Sequence, residues 1–125
     1  MNLYKINNWD DLYETHETRK LKSLKWLPIP NKHDGLGFRK TAMQKNCCEL
    51  FTAWVLLLQI ASKCPIRGQL SSDEAGNLPL SPDDAGLKTG FPAEIFRKAI
   101  EHAVMRKQKG LSPFATPNEF YPLPK

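Results

Sequence analysis

Arg97 and Lys98 stand side by side in the stretch "FPAEIFRKAIEHAV", with Glu94 before them and Glu101 and His102 after. A guanidinium and an ammonium on one helix face suit phosphate oxygens or the O6/N7 edge of guanine, and a carboxylate such as Glu94 can accept from cytosine N4. Lys88 and Thr89 close the preceding stretch "SPDDAGLKTG" and bring further donors. Lys32, Arg39, Lys40, Arg67, Arg106 and Lys107 are the other candidate phosphate contacts. Glu94 and Glu101 repel phosphate, so the face is mixed rather than uniformly basic.

Other chemistries find less support. His33 and Asp34 are adjacent, but neighbouring residues seldom aim their side chains at one another, and no nucleophile of known setting accompanies them. Cys47 and Cys48 are consecutive and Cys64 stands apart, with no CxxC or HxxxH spacing. Zinc ligation by Cys64 and His33 is the least favoured reading, and the three thiols are expected to fill core space in a reducing compartment. No glycine-rich phosphate loop and no paired carboxylates beyond helix-cap aspartates occur. A non-enzymatic chain with no catalytic residue, metal or cofactor is expected.

The elements that must position Arg97 and Lys98 are two helices and a turn. Ser81 is a preferred N-cap, Pro82 suits the first helical position, and Asp83 and Asp84 complement the positive end of the helix dipole. Gly90 can take the left-handed conformation that ends a helix. Pro92 then fits a second first-turn position, after which Ile95, Phe96, Ala99, Ile100, Ala103 and Val104 form an apolar stripe. His102 is expected to face outward with Arg97. Two helices joined by a short glycine-bearing turn are the helix-turn-helix signature, which serves DNA contact or protein docking.

The strongest helix is expected upstream, in "QKNCCELFTAWVLLLQIASKCP", with Asn46 and Glu49 as a capping box and Pro65 as its stop. Leu50, Ala53, Trp54, Leu57, Leu58 and Ala61 share one face, widened by Phe51, Val55 and Ile60, so this helix is central. An N-terminal helix capped by Asn8 is expected to carry Trp9, Leu12, Tyr13 and His16. Pro28 and Pro30 force an extended path, and Asn31, Asp34, Gly35 and Gly37 predict an irregular loop bearing Lys32, His33, Arg39 and Lys40. "RGQLSSDEAGNLPL" reads as a loose hairpin or as one strand with a loop.

The 125 residues amount to one domain. Its net charge of +5 is uneven: residues 1–45 hold nine Lys/Arg against five Asp/Glu, residues 46–80 two against three, and residues 81–125 seven against five. A polyanionic partner is favoured over a solvated positive face. The longest apolar run, 50–61, is broken by Thr52 and Gln59 and falls short of the ~20 residues a membrane span needs. The N-terminus has no secretory pattern, so a cytoplasmic location is expected.

Three pieces in matching order, "LKWLPIPNKHDGLGFRK", "AWVLLLQIASKCPIRGQL" and "SPDDAGLKTGFPAEIFRKAI", resemble the N-terminal winged-helix domains of phage and prophage replication initiators or replisome organisers. The resemblance covers roughly residues 8 to 104 and implies a winged-helix fold, double-stranded DNA and replication proteins as partners, and a role in phage DNA replication. Where such domains continue into a hairpin wing, this chain reads "MRKQKGLSPFATPNEFYPLPK", and four of its ten prolines fall in the last thirteen residues. That composition predicts an extended tail instead of a paired wing. The expected architecture is a mainly α, winged-helix-like domain with a short β hairpin over 1–110, followed by an extended Pro-rich tail over 111–125. A non-enzymatic protein-protein interaction module, by homodimerisation or replisome docking, is the alternative function.

Overall fold

The computed structural model describes residues 3–6, 9–29, 39, 41–107 and 120–122, with side chains described as far as residue 102. In chain order the elements are β1 (Tyr4–Ile6), α1 (Trp9–Leu12), a 3-10 turn (Thr18–Lys20), α2 (Cys47–Ser62), β2 (Gln69–Leu70), α3 (Pro82–Thr89), α4 (Ala93–Lys107) and β3 (Phe120–Pro122). The chain is mainly helical with a small antiparallel sheet of order β2-β1-β3.

α2 occupies the centre. Leu50, Ala53, Trp54, Leu57, Leu58, Ile60 and Ala61 are all buried, with Phe51 and Leu56 packed half-buried against them. Burying five large side chains contributes about 10 kcal/mol before conformational entropy is subtracted. The expected Asn46–Glu49 capping box does not form. Asn46 has φ −101° and ψ 36° and caps nothing with its side chain, because an N-cap needs an extended backbone to aim its side chain at the first turn. α2 instead follows directly on a turn in which Cys47 N donates to Gln44 O at 3.2 Å. Its other end falls at Ser62, two residues before the restricted position preceding Pro65. Of the three cysteines only Cys64 fills the core; Cys47 is half-buried and Cys48 exposed.

α1 is one turn long, shorter than its apolar spacing predicts, and His16 lies exposed beyond it. Two threonines end it: Thr15 N donates to Thr18 Oγ1 at 2.8 Å and Thr18 N to Thr15 Oγ1 at 3.2 Å, diverting amides from helical partners. Asn8 lies outside the described residues. β1 holds the middle of the sheet, pairing Tyr4 with Leu70 on one side and Lys5 with Tyr121 on the other. Three residues of the proline-rich tail therefore pair as a strand, an outcome that its composition does not announce. After β2 the chain makes a loose hairpin closed by Leu80 N to Leu70 O at 3.1 Å, and Asp73 Oδ1 accepts from Leu78 N at 2.8 Å across its turn. The hydrogen bond from Leu78 N is the main reason that the Asp73 carboxyl sits below its ordinary pKa.

α3 begins as its sequence predicts. Ser81 Oγ accepts from Asp84 N at 3.0 Å while Asp84 Oδ2 accepts from Ser81 N at 3.0 Å, a reciprocal capping box with Pro82 in the first turn. Both α2 and α3 pack on α4.

Candidate nucleic-acid interface

Three residues join α3 to α4. Gly90 has φ 75°, the left-handed geometry that lets its N–H turn back to Gly86 O at 2.8 Å and close α3. Thr89 stitches the same corner, donating from Oγ1 to Ala85 O at 2.8 Å and accepting from Phe91 N at 3.1 Å. Phe91 meets Phe96 edge to face, with centroids 5.7 Å apart. Phe96 and Ala99 are buried and Ile95 and Ile100 half-buried, so α4 turns its apolar stripe to the core as far as residue 102 can be followed. α4 starts at Ala93, one residue later than Pro92 suggests.

Glu94, Arg97, Lys98 and Glu101 emerge together on the exposed side of α4. Their electrostatics are specific. Arg97 Nε donates to Glu94 Oε2 at 2.9 Å and Nη1 to Glu101 Oε1 at 2.7 Å, while Nη2 pairs with Glu94 Oε1. One guanidinium thus sits between two carboxylates, and the trio carries a formal charge of −1. Arg97 holds the Glu94 carboxyl below its ordinary pKa and is itself raised, chiefly by Glu94. Lys98 is exposed beside this trio and Lys88 is exposed near the end of α3.

His102 departs from expectation. It is half-buried, with Nε2 3.0 Å from the hydroxyl of Thr41, which is itself buried. A residue five positions beyond Arg97 has rotated about 140° around the helix from it, enough to carry it off the outward face. Arg67 departs as well. Its Nη2 pairs with Glu14 Oε1 at 3.2 Å, and the two side chains are 17% and 3% exposed, so the group expected to meet phosphate is turned onto a buried carboxylate. Arg39 is exposed. Lys32, His33, Asp34 and Lys40 lie outside the described residues, as do the side chains of Ala103, Val104, Arg106 and Lys107, whose backbone is helical.

The Glu14 cluster carries no sequence signature, because its members are 53 positions apart and follow no helix or strand period. Trp9 Nε1 donates to Glu14 Oε2 at 2.6 Å, and Arg67 Nη2 reaches the carbonyls of Thr18 and Arg19 at 3.3 and 3.4 Å. Arg67 Nη1 is buried without a hydrogen-bond partner among the described residues. An open cleft of about 590 Å³ lies alongside, bordered by Lys5, Asp10, Asp11 and Arg19. Its formal charges cancel, and Arg19 is already paired with Asp10.

Two exposed apolar side chains were also not foreseen: Trp26 and Leu87 are each 86% exposed. No protein-family model matches this chain, and comparison with curated proteins and with solved structures found no match.

Proposed function

We propose that this chain is a non-enzymatic helix-turn-helix protein of winged-helix type that docks on duplex DNA and acts in phage-related DNA replication. The observation that carries the reading is the α3–Gly90–α4 corner, whose packed inner side leaves Lys88, Arg97 and Lys98 on the exposed surface. Docking is electrostatic, with Lys88 and Lys98 as the first phosphate contacts and Arg97 engaged only when phosphate displaces a glutamate. The replication setting rests on the sequence resemblance of the "PNKHDG" and "ASKCPIRG" segments. Fluorescence anisotropy of a labelled duplex at several salt concentrations tests it. Replacing Lys88 and Lys98 with alanine should weaken binding and reduce the log–log salt slope by about 1.8, two contacts at ~0.9 each. Unchanged affinity in that variant would remove the helix pair from the interface.

The exposure of Leu87 on α3 supports a second reading, a protein-docking surface on the same helix pair. Light scattering across a concentration series distinguishes it: mass that rises with concentration and collapses in Leu87→Lys marks self-association through α3.

A further inference from the structure

Trp26 is the anomaly of this surface. The other two tryptophans, Trp9 and Trp54, are 5% and 2% exposed, whereas Trp26 is 86% exposed. It stands in "TRKLKSLKWLPI", residues 18–29, which hold Arg19, Lys20, Lys22 and Lys25 and no carboxylate. Lys20, Lys22 and Lys25 are exposed, and none of the three is ion-paired among the described residues. Lys22 and Lys25 lie within four residues of the indole, at most about 14 Å of extended chain.

The segment is held at both ends. At its start the Arg67 guanidinium binds the carbonyls of Thr18 and Arg19, and near its end Leu27 packs against the core. Pro28 restricts the backbone there. Between these anchors the backbone is tethered, and the indole projects into solvent with its faces open to contact.

We propose that Trp26 is a stacking platform for an unpaired base, with Lys20, Lys22 and Lys25 taking the adjoining phosphates of a single strand. Single-strand binders combine aromatic faces with cations that follow the backbone, and every base offers a π-face. Duplex DNA keeps its bases stacked and cannot use the indole in this way. A membrane surface calls for an amphipathic helix with a continuous apolar face, whereas this segment is non-helical beyond Lys20 and its apolar residues are interrupted by lysines. A protein partner fits poorly too, since the core of such an interface is depleted of charge. The inference goes beyond duplex docking and does not depend on the α3–α4 corner.

The test is titration of the full chain with fluorescein-labelled oligothymidylate, followed by anisotropy, and with the unlabelled strand, followed by tryptophan emission. Because Trp26 alone among the three tryptophans is exposed, quenching reports on it. The expected result is quenching on binding, at least about fivefold weaker affinity in Trp26→Ala, and near-complete rescue by Trp26→Phe. Lysine-to-alanine changes at 20, 22 and 25 should each lower the single-strand salt slope by about 0.7. Substitution of so exposed a side chain leaves the fold intact, which a thermal melt of each variant checks. Equal affinity of Trp26→Ala and the parent overturns the proposal. So does a blue-shifted emission with phosphatidylserine vesicles and none of this response to the strand. Duplex binding with no Trp26 quenching by the single strand sinks this inference and leaves the helix-pair reading standing; quenching by the single strand without duplex binding does the reverse.

Discussion

Arg67 and Glu14 form an ion pair at 3.2 Å with the carboxylate side chain only 3% exposed, which ties the chain after α2 to the turn after α1. Removing one partner of a buried pair strands the other's charge, at a cost of about 3–5 kcal/mol. Arg67→Met should therefore lower unfolding stability by about 3 kcal/mol in urea titrations, and adding Glu14→Gln should restore a large part of it. If the double variant were no more stable than Arg67→Met, the loss would lie in the Thr18 and Arg19 carbonyl contacts instead.

The capping box at Ser81 and Asp84 makes a pH prediction with a definite sign. Hydrogen bonds from the Ser81 backbone and side chain, aided by Lys88, hold the Asp84 carboxyl below its ordinary value. A depressed folded-state pKa gives stability that is complete above the unfolded-state value and is lost as pH falls through the folded one. Acid titration of stability should thus show a loss below the ordinary carboxylate range that is smaller in Asp84→Asn. Ser81→Ala should cost about 1 kcal/mol at neutral pH.

Gly90 and Gly86 separate two reasons for glycine. A Cβ on Gly90 would meet no atom within 4 Å, so Gly90→Ala should cost only the strain of its φ of 75°, about 1 kcal/mol. A Cβ on Gly86 would lie 3.1 Å from Phe91 O, a tight contact that asks the turn to yield by a few tenths of an ångström. Chemical denaturation of the two variants, combined with duplex titration, should show Gly86→Ala disturbing the α3–α4 corner, while Gly90→Ala alters stability alone.

The α3–α4 corner was legible because its signals are local. Ser81, Pro82, Asp84 and Gly90 each act within one or two turns of their own helix, and α2 declared itself by an apolar face too broad to be left in water. What escaped was decided by contacts distant in sequence or by competing local bonds. Nothing near Arg67 shows that it turns to Glu14, and His102 meets Thr41 across 61 positions. The short α1 reflects the Thr15–Thr18 exchange, which helical periodicity does not register. The pairing of Phe120–Pro122 with β1 spans nearly the whole chain, and proline content alone argued against it.

Glu94 and Glu101 make the last prediction, because they restrain the cation on which recognition was expected to depend. With Arg97 held by both, a phosphate must displace a carboxylate before it gains the guanidinium, and the repulsion from the second glutamate remains. Exposed pairs of this kind contribute little to stability, so neutralising them should leave folding nearly unchanged. Their effect on binding should be larger. Glu94→Gln/Glu101→Gln frees Arg97 and removes two negative charges, so duplex affinity should rise and the log–log salt slope should steepen by about 0.9, one added phosphate contact. Adding Arg97→Ala to that variant should abolish the extra slope. A gain in affinity that survived Arg97→Ala would mean that the glutamates act only by repelling DNA, with the guanidinium taking no part.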